Sequence, residues 1–385
     1  MSERTCPPLP LVIFLLALPQ AAETILSPAL PALARYWQLD GATSQWTMAL
    51  FFVGFAPGIW LWGWLADHLG RRPALLGGLG LATLATLGAW ASADYASLLA
   101  CRALQGLGLA TCSVTVQTSL RDVLHGPALM SYFVTLGAVL AWSPAVGPVS
   151  GQWLADLGGH PAVFAALAAL LATLLALVAL RWPETHAPAA AGPGTLAVCR
   201  RALADRLLQK RALLVAVLNV LVFSFYAAGP FMVGNLPWLG FGWVGLAIAL
   251  AGSLGALLNR RLPPGWPSGR RVRLGLGLAL AAGGAAAQTL LALAGYAHGL
   301  AWAAPALPIF IGFGLAIPNL LGPALHAYAD CRGRAGALFG LAYYLLIGLG
   351  LACSTLLPFD HAGPLATYWS ALGLVALILA SGLPD

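Results

Sequence analysis

The chain has 385 residues, 60% of them hydrophobic and only 8% charged, with a mean hydropathy of +0.85 and a formal net charge of +7. Soluble domains are about 25% charged, so a water-soluble globular protein is excluded, and the basic balance has its place in loops at one membrane face rather than on nucleic acid. Six cysteines (Cys6, Cys101, Cys112, Cys199, Cys331 and Cys353) form no CxxC pair and no metal-ligand spacing, and the seven histidines are scattered; no metal and no cofactor are expected.

About 20 apolar residues span the hydrocarbon core of a bilayer. Apolar stretches between charged or Pro/Gly-rich breaks predict spans near 11–34, 47–66, 74–93, 97–120, 130–155 and 162–182, then near 212–234, 238–258, 272–294, 300–324, 335–357 and 364–383. The fold class is therefore all-α integral membrane, with twelve transmembrane helices in two halves, 1–182 and 212–385. The first run is long, contains an acid and precedes eleven more spans, so it reads as a retained span rather than a signal peptide. Residues 183–211 form the longest polar stretch. Its first part is linker-like, and its second part reads as a short basic amphipathic helix on the membrane surface. A weak repeat joins the halves: GWLADHLGRR (Gly63 to Arg72) follows the second span and GALLNRRLPPGWPSGRR (Gly255 to Arg271) the eighth, with Asn259 in place of Asp67.

With a cytoplasmic N-terminus, 17 of the 19 basic residues fall in inner loops, Arg35 lies outside and Arg102 within a span. That asymmetry fixes the orientation by the positive-inside rule and places both termini in the cytoplasm. Of the 12 acids, 11 fall in loops on one side or the other. Glu23 alone remains in hydrocarbon, near the middle of the first span. A charge at the centre of a spanning helix costs about 2.5–3.5 kcal/mol on insertion scales, and such residues face cavities or relay protons. Glu23 is thus a candidate proton carrier, with a neutral, hydrogen-bonded structural acid as the alternative. Arg102 keeps its charge at any physiological pH and either modulates Glu23 or extends to the outer interface.

At the inner end of the second span, Gly63, Asp67, Gly70, Arg71 and Arg72 carry the charge pattern of a gate. Asp67 is suited to the N-terminus of the eleventh span, beside Arg332 and Arg334, where free amide groups favour a carboxylate. Arg71 or Arg72 is placed to pair with Asp122. The same arginines also serve simply as topology signals. Gly147, Pro148 and Gly151 predict a kinked, closely packed fifth span. Gln20, Phe51, Phe55, Gln117, Asn219, Phe223, Tyr226 and Tyr343 are candidate lining residues of an aromatic cavity suited to lipophilic, including cationic, ligands; aromatics at helical spacing equally suit a core or a lipid-facing surface.

The motif GWLADHLGRRP from Gly63 to Pro73 resembles the signature loop of the major facilitator superfamily. Arg102-x-x-Gln105-Gly106-x-Gly108 is similar to that family's fourth-span motif, and Gly147-Pro148-x-x-Gly151 to its antiporter motif, with Ser143 and Gln152 where glycine is usual. ETILSPALPALA in the first span, TSLRDV (Thr118 to Val123), WPET (Trp182 to Thr185) and GRAGALFG (Gly333 to Gly340) look like the Bcr/CflA branch of drug:proton antiporters, EmrD-type members above all. The resemblance implies a monomeric exporter in a bacterial inner membrane that works by rocking of its two halves. Its partners would be the lipid bilayer, a small-molecule substrate and protons, with the proton gradient as driving force. It also implies proton coupling at Glu23 and Arg102, a cytoplasmic gate at the Asp67 loop, and an outer seal at Gly147-Pro148. Export of an endogenous metabolite is the alternative. A membrane enzyme would need His, Asp or Ser clustered at one face, and the sequence has no such cluster.

Overall fold

The computed structural model describes residues 6–126, 129, 132, 143–186, 194–234, 240–261, 269–296, 298–328, 331–357 and 362–383. In chain order the helices are α1 (Leu9–Thr24), α2 (Leu30–Tyr36), α3 (Gly41–Ser44), α4 (Trp46–Leu69), α5 (Arg71–Trp90), α6 (Tyr95–Val123), α7 (Ser143–Arg181), α8 (Thr195–Ala204), α9 (Arg206–Val233), α10 (Phe241–Arg261), α11 (Gly269–Leu293), α12 (Gly299–Ala303), α13 (Ala306–Leu321), α14 (Arg332–Thr355) and α15 (Ala362–Ser381). Among the described residues there is no strand, and eleven helical stretches are long and apolar enough to cross a membrane. One of them, α7, holds parts of two predicted spans and turns at Gly159, whose φ of +65° suits a residue without Cβ. Most of the predicted fifth span before Ser143 lies outside the described residues.

Prolines set the irregularities. The first predicted span is broken: α1 ends at Thr24, a 3-10 turn runs Ser27–Ala29, and α2 restarts at Leu30. Pro28 and Pro31 have no N–H to continue the ladder, and hydrocarbon tolerates such breaks only inside protein. Here Pro28 and its neighbours Ser27 and Ala29 are buried, and the Ser27 hydroxyl donates to the Tyr226 carbonyl of α9. Glu23 therefore sits in the last turn before a break. Loop acids cap the helices that follow them: Asp40 accepts from the Thr43 N–H at 2.7 Å, Asp94 from Ser97 at 2.8 Å, and Asp205 from Leu207 and Leu208 at 2.9 and 3.0 Å. The Asp205 cap explains why α9 begins at Arg206, before the predicted 212. The preceding helix α8 also packs on protein, with the Arg201 guanidinium 4.6 Å from the Tyr328 ring and donating to the Ala327 carbonyl.

Small residues let the helices approach. A Cβ on Gly106 would lie 2.0 Å from the Phe51 carbonyl oxygen, and one on Gly54 1.9 Å from that of Ala103, so α4 and α6 are in backbone contact; Trp62 Nε1 also donates to Leu107 O at 2.7 Å. In the second set, a Cβ on Gly314 of α13 would lie 2.1 Å from Gly252 O of α10, and one on Gly312 2.2 Å from Gly277 O of α11. The two sets join along two seams. On one, α4 meets α14, with Gly348 against Val53; on the other, α7 meets α10, where a Cβ on Gly245 would lie 2.3 Å from that of Pro148. Large apolar side chains such as Leu84, Leu180, Leu290 and Ile378 are exposed on the outer faces, where lipid covers them.

Because the Phe51 carbonyl leaves no room for a side chain, Gly106→Val is expected to destabilise the protein by about 1–3 kcal/mol through overpacking. Gly283→Ala, which meets nothing within 4 Å, should leave it near wild type. Thermal unfolding of the detergent-solubilised protein, followed by size-exclusion chromatography, separates the two.

Candidate functional site

A cavity of about 220 Å³ opens between α1, α9, α10 and α13. Gln20 and Glu23 reach it from α1, Phe223 and Tyr226 from α9, Ser253 from α10, and Phe310 and Phe313 from α13. Glu23 is buried and is the only acid on this wall. No hydrogen bond or ion pair to its carboxylate is found among the described residues. The Tyr226 hydroxyl is also buried and has no hydrogen-bond partner among the described residues. The remaining wall is aromatic or small, with Tyr226 edge-on to Phe310 at 5.6 Å.

Of the residues that the sequence offers for a cavity, Gln20, Phe223 and Tyr226 line it; Phe51, Phe55, Gln117, Asn219 and Tyr343 do not. Phe51 lies under the Arg102 guanidinium at 4.8 Å, and Phe55 packs on Tyr344 at 4.6 Å. Asn219 donates to its own helix at Val215 O, 2.7 Å away. Tyr343 is 4.4 Å from Tyr344 and 5.3 Å from Phe339. Gln117 is half-buried on α6. Phe55 and Phe52 fasten the α4–α14 seam through Tyr344, at 4.6 and 6.2 Å, and Phe52 also meets Phe223 of α9 at 4.7 Å. The wall residues that sequence reasoning missed, chiefly Gly252, Ser253 and Ala256 on α10, are small residues in a chain rich in them, and only their neighbours mark them out.

Arg102 is fully buried rather than extended to the interface. Its Nε donates to Thr47 O at 3.2 Å and its Nη1 to Gln105 Oε1, while Gln105 Nε2 donates to Thr86 Oγ1 at 2.6 Å. Nη2 is buried without a partner. A cation removed from water needs carbonyls, ring faces or counter-charge. The first two are in direct contact, and Glu23 lies within electrostatic reach, although no ion pair joins it to Arg102.

At the arginine-rich end of the bundle, Arg71 bridges two carboxylates: Nη1 to Asp67 at 2.6 Å and Nε to Asp122 at 2.7 Å. Of the two arginines offered to Asp122, Arg71 takes it, and Arg72 donates to Ala179 O at 2.6 Å. Asp67 makes no hydrogen bond to the described start of α14, so the predicted latch is not formed here. The side chain of Arg332 lies outside the described residues, Arg334 is exposed at that helix start, and Gly63 packs against Val114 and Ala337. A different acid caps a helix: Glu184, of the WPET stretch, accepts the N–H groups of Arg71 at 3.0 Å and Arg72 at 3.1 Å, the free amides at the start of α5. Gly70, at φ +102°, makes room for it, as a Cβ there would lie 2.6 Å from Glu184 Oε2. Burial works against the charge of Glu184, but the N–H groups of His186, Arg71, Arg72 and Thr185 more than offset this and hold its carboxyl below the ordinary range.

On the α7 side, a Cβ on Gly147 would lie 2.0 Å from Thr24 Oγ1 and one on Gly151 2.0 Å from Ile25 O. Gly147, Pro148 and Gly151 thus wedge α7 between the break in the first span and α10.

Residues 12–381 match the sequence profile of the Major Facilitator Superfamily. The chain belongs to that family. Among curated relatives, a chloramphenicol resistance protein of Pseudomonas aeruginosa is 30% identical over 92% of this chain and 85% of its own. Multidrug resistance protein D of Escherichia coli strain K12 is 25% identical over 96% and 93%. In fold, the human organic anion transporter MFSD10 (TETRAN) superposes with a TM-score of 0.70 over 97% of this chain and 98% of its own, at 18% identity. The protein is a multi-pass membrane transporter of this superfamily and not an enzyme.

Because Glu184 titrates below its unfolded value, the stability it adds is present above the ordinary carboxylate range and is lost as the pH falls through its folded pKa. Glu184→Gln is expected to cost about 1 kcal/mol at neutral pH, as for loss of a helix cap. The gap between the melting temperatures of variant and wild type should close as the pH is lowered past that range.

Proposed function

We propose that this transporter is a proton-coupled exporter of lipophilic, in part cationic, small molecules across a bacterial inner membrane. The reading has the two six-span bundles, 1–182 and 212–385, rock about the midplane cavity, with 183–211 as the cytoplasmic linker. The observation that carries it is Glu23, the one acid on the wall of an aromatic cavity, with no partner of its own and with Arg102 within electrostatic reach. A cationic or hydrogen-bonding cargo would be held by the carboxylate of Glu23, and a proton bound there would remove that charge, so cargo and proton would exclude one another. The resistance functions in the names of the two curated relatives support efflux. The bridge from Arg71 to Asp67 and Asp122 would hold the inner end closed in one state. Arg71 is buried and Asp122 nearly so, while Asp67 is exposed, so parting the bridge would need water to enter the inner end as it opens.

Proton release on adding a cationic dye or chloramphenicol to purified protein in weakly buffered detergent tests this. Wild type is expected to release one proton per bound cargo and Glu23→Gln none. Uphill transport by the Gln variant with unchanged dependence on external pH would refute the reading. One proton exchanged for one monovalent cation moves no net charge, so transport in vesicles should ignore a clamped potential, which otherwise contributes about 2.3 kcal/mol per charge per 100 mV. Tyr226→Phe removes a hydroxyl without a partner, so thermal stability should hold while cargo affinity falls about tenfold, as for one lost hydrogen bond.

A further inference from the structure

A second cavity of about 220 Å³ lies at the arginine-rich end of the bundle, away from Glu23. Arg211, three residues beyond the buried Leu208 of α9, and Arg270 and Arg271, in the first turn of α11, line it on one side, and leucines including Leu278 and Leu377 line the other. Among the described residues no carboxylate lines it. Arg211 lies within repelling reach of Arg270 and within attracting reach of Asp205, and it is held in place by Nη1, which donates to Pro323 O at 3.0 Å. The Lys210 ammonium lies close by, against Gly382 at the end of α15.

A phosphate set among these arginines would accept several charge-assisted hydrogen bonds and would ease the repulsion between Arg211 and Arg270. The walls point to the source of the phosphate. Leu377 is partly exposed, and it stands on α15 beside Leu374 and Ile378, which are exposed on the outward face. The cavity mouth is thus continuous with the apolar surface that lipid tails cover, and basic recesses between helices at a membrane face suit lipid head groups. We infer that this recess binds the phosphodiester head group of an anionic phospholipid, with its acyl chains lying along α15. The inference is independent of the transport reading.

The test uses the full-length protein in detergent, with native mass spectrometry and thermal unfolding as readouts and cardiolipin, phosphatidylcholine or inorganic phosphate as probes. Wild type is expected to retain cardiolipin in preference to phosphatidylcholine and to melt higher in its presence. Arg270 is exposed, so Arg270→Gln should fold, and it should weaken cardiolipin retention about fivefold, as for one basic residue near anionic lipid; Arg211→Gln should add to the loss. Arg260→Gln, an exposed arginine that does not line the cavity, should behave as wild type. Equal retention of the two lipids by wild type, or equal losses in the Arg260 and Arg270 variants, would overturn the site. Displacement of cardiolipin by inorganic phosphate at the same concentration would overturn the lipid assignment.

Discussion

Hydrocarbon supplies no hydrogen bonds, and that single constraint accounts for where this molecule keeps its irregular and charged parts. The break after Thr24 is buried, and the Ser27 hydroxyl beside it is tied to the Tyr226 carbonyl across the two sets of spans. Arg102 is enclosed by a carbonyl, an amide and a ring face. Glu23 faces a cavity rather than lipid. Lacking a hydrophobic drive between helices, the bundle relies on close backbone approach, which the glycines of α4, α6, α10, α11 and α13 allow.

The same economy ties the proposed proton site to the seam between bundles. The residues that follow Glu23, Thr24 and Ile25, are those against which Gly147 and Gly151 are wedged, and Pro148 on the far side presses on Gly245 of α10. Cores packed without voids transmit displacement rather than absorb it. A change of charge at Glu23 would therefore act one residue from the contact of the first span with α7, whose Pro148 in turn presses on α10.

Much of this was legible in the chain. Apolar length placed the spans, because a bilayer sets a minimum that few soluble segments meet, and the solitary acid in the first run marked the cavity. Charge pattern brought Arg71 to Asp122. What pattern could not convey was partner choice among equals. Phe51, Phe55 and Tyr343 have the same aromatic chemistry as Phe223 and Tyr226, yet Phe51 lies under Arg102, Phe55 fastens the α4–α14 seam and Tyr343 packs on rings of its own helix, and none of them lines the cavity. Asp67 and Glu184 are both acids at the arginine-rich end near the start of α5, and it is Glu184 that reaches the open amides there, since Gly70 clears its approach. The start of α9 shifted from 212 to Arg206 because a capping acid outweighs the polarity of the turn it begins.

The repeat also diverges at one telling place. Where the first bundle joins its second, third and fourth spans through Asp67, Arg71 and Asp122, the second bundle joins α10 to α13 through two carboxamides, with Asn319 Nδ2 donating to Asn259 Oδ1 at 2.7 Å. A carboxamide neither gains nor sheds a hydrogen ion across the biological range. The first bundle thus makes this junction with charge and its twin without, and the molecule is chemically lopsided at matching places of a weak repeat.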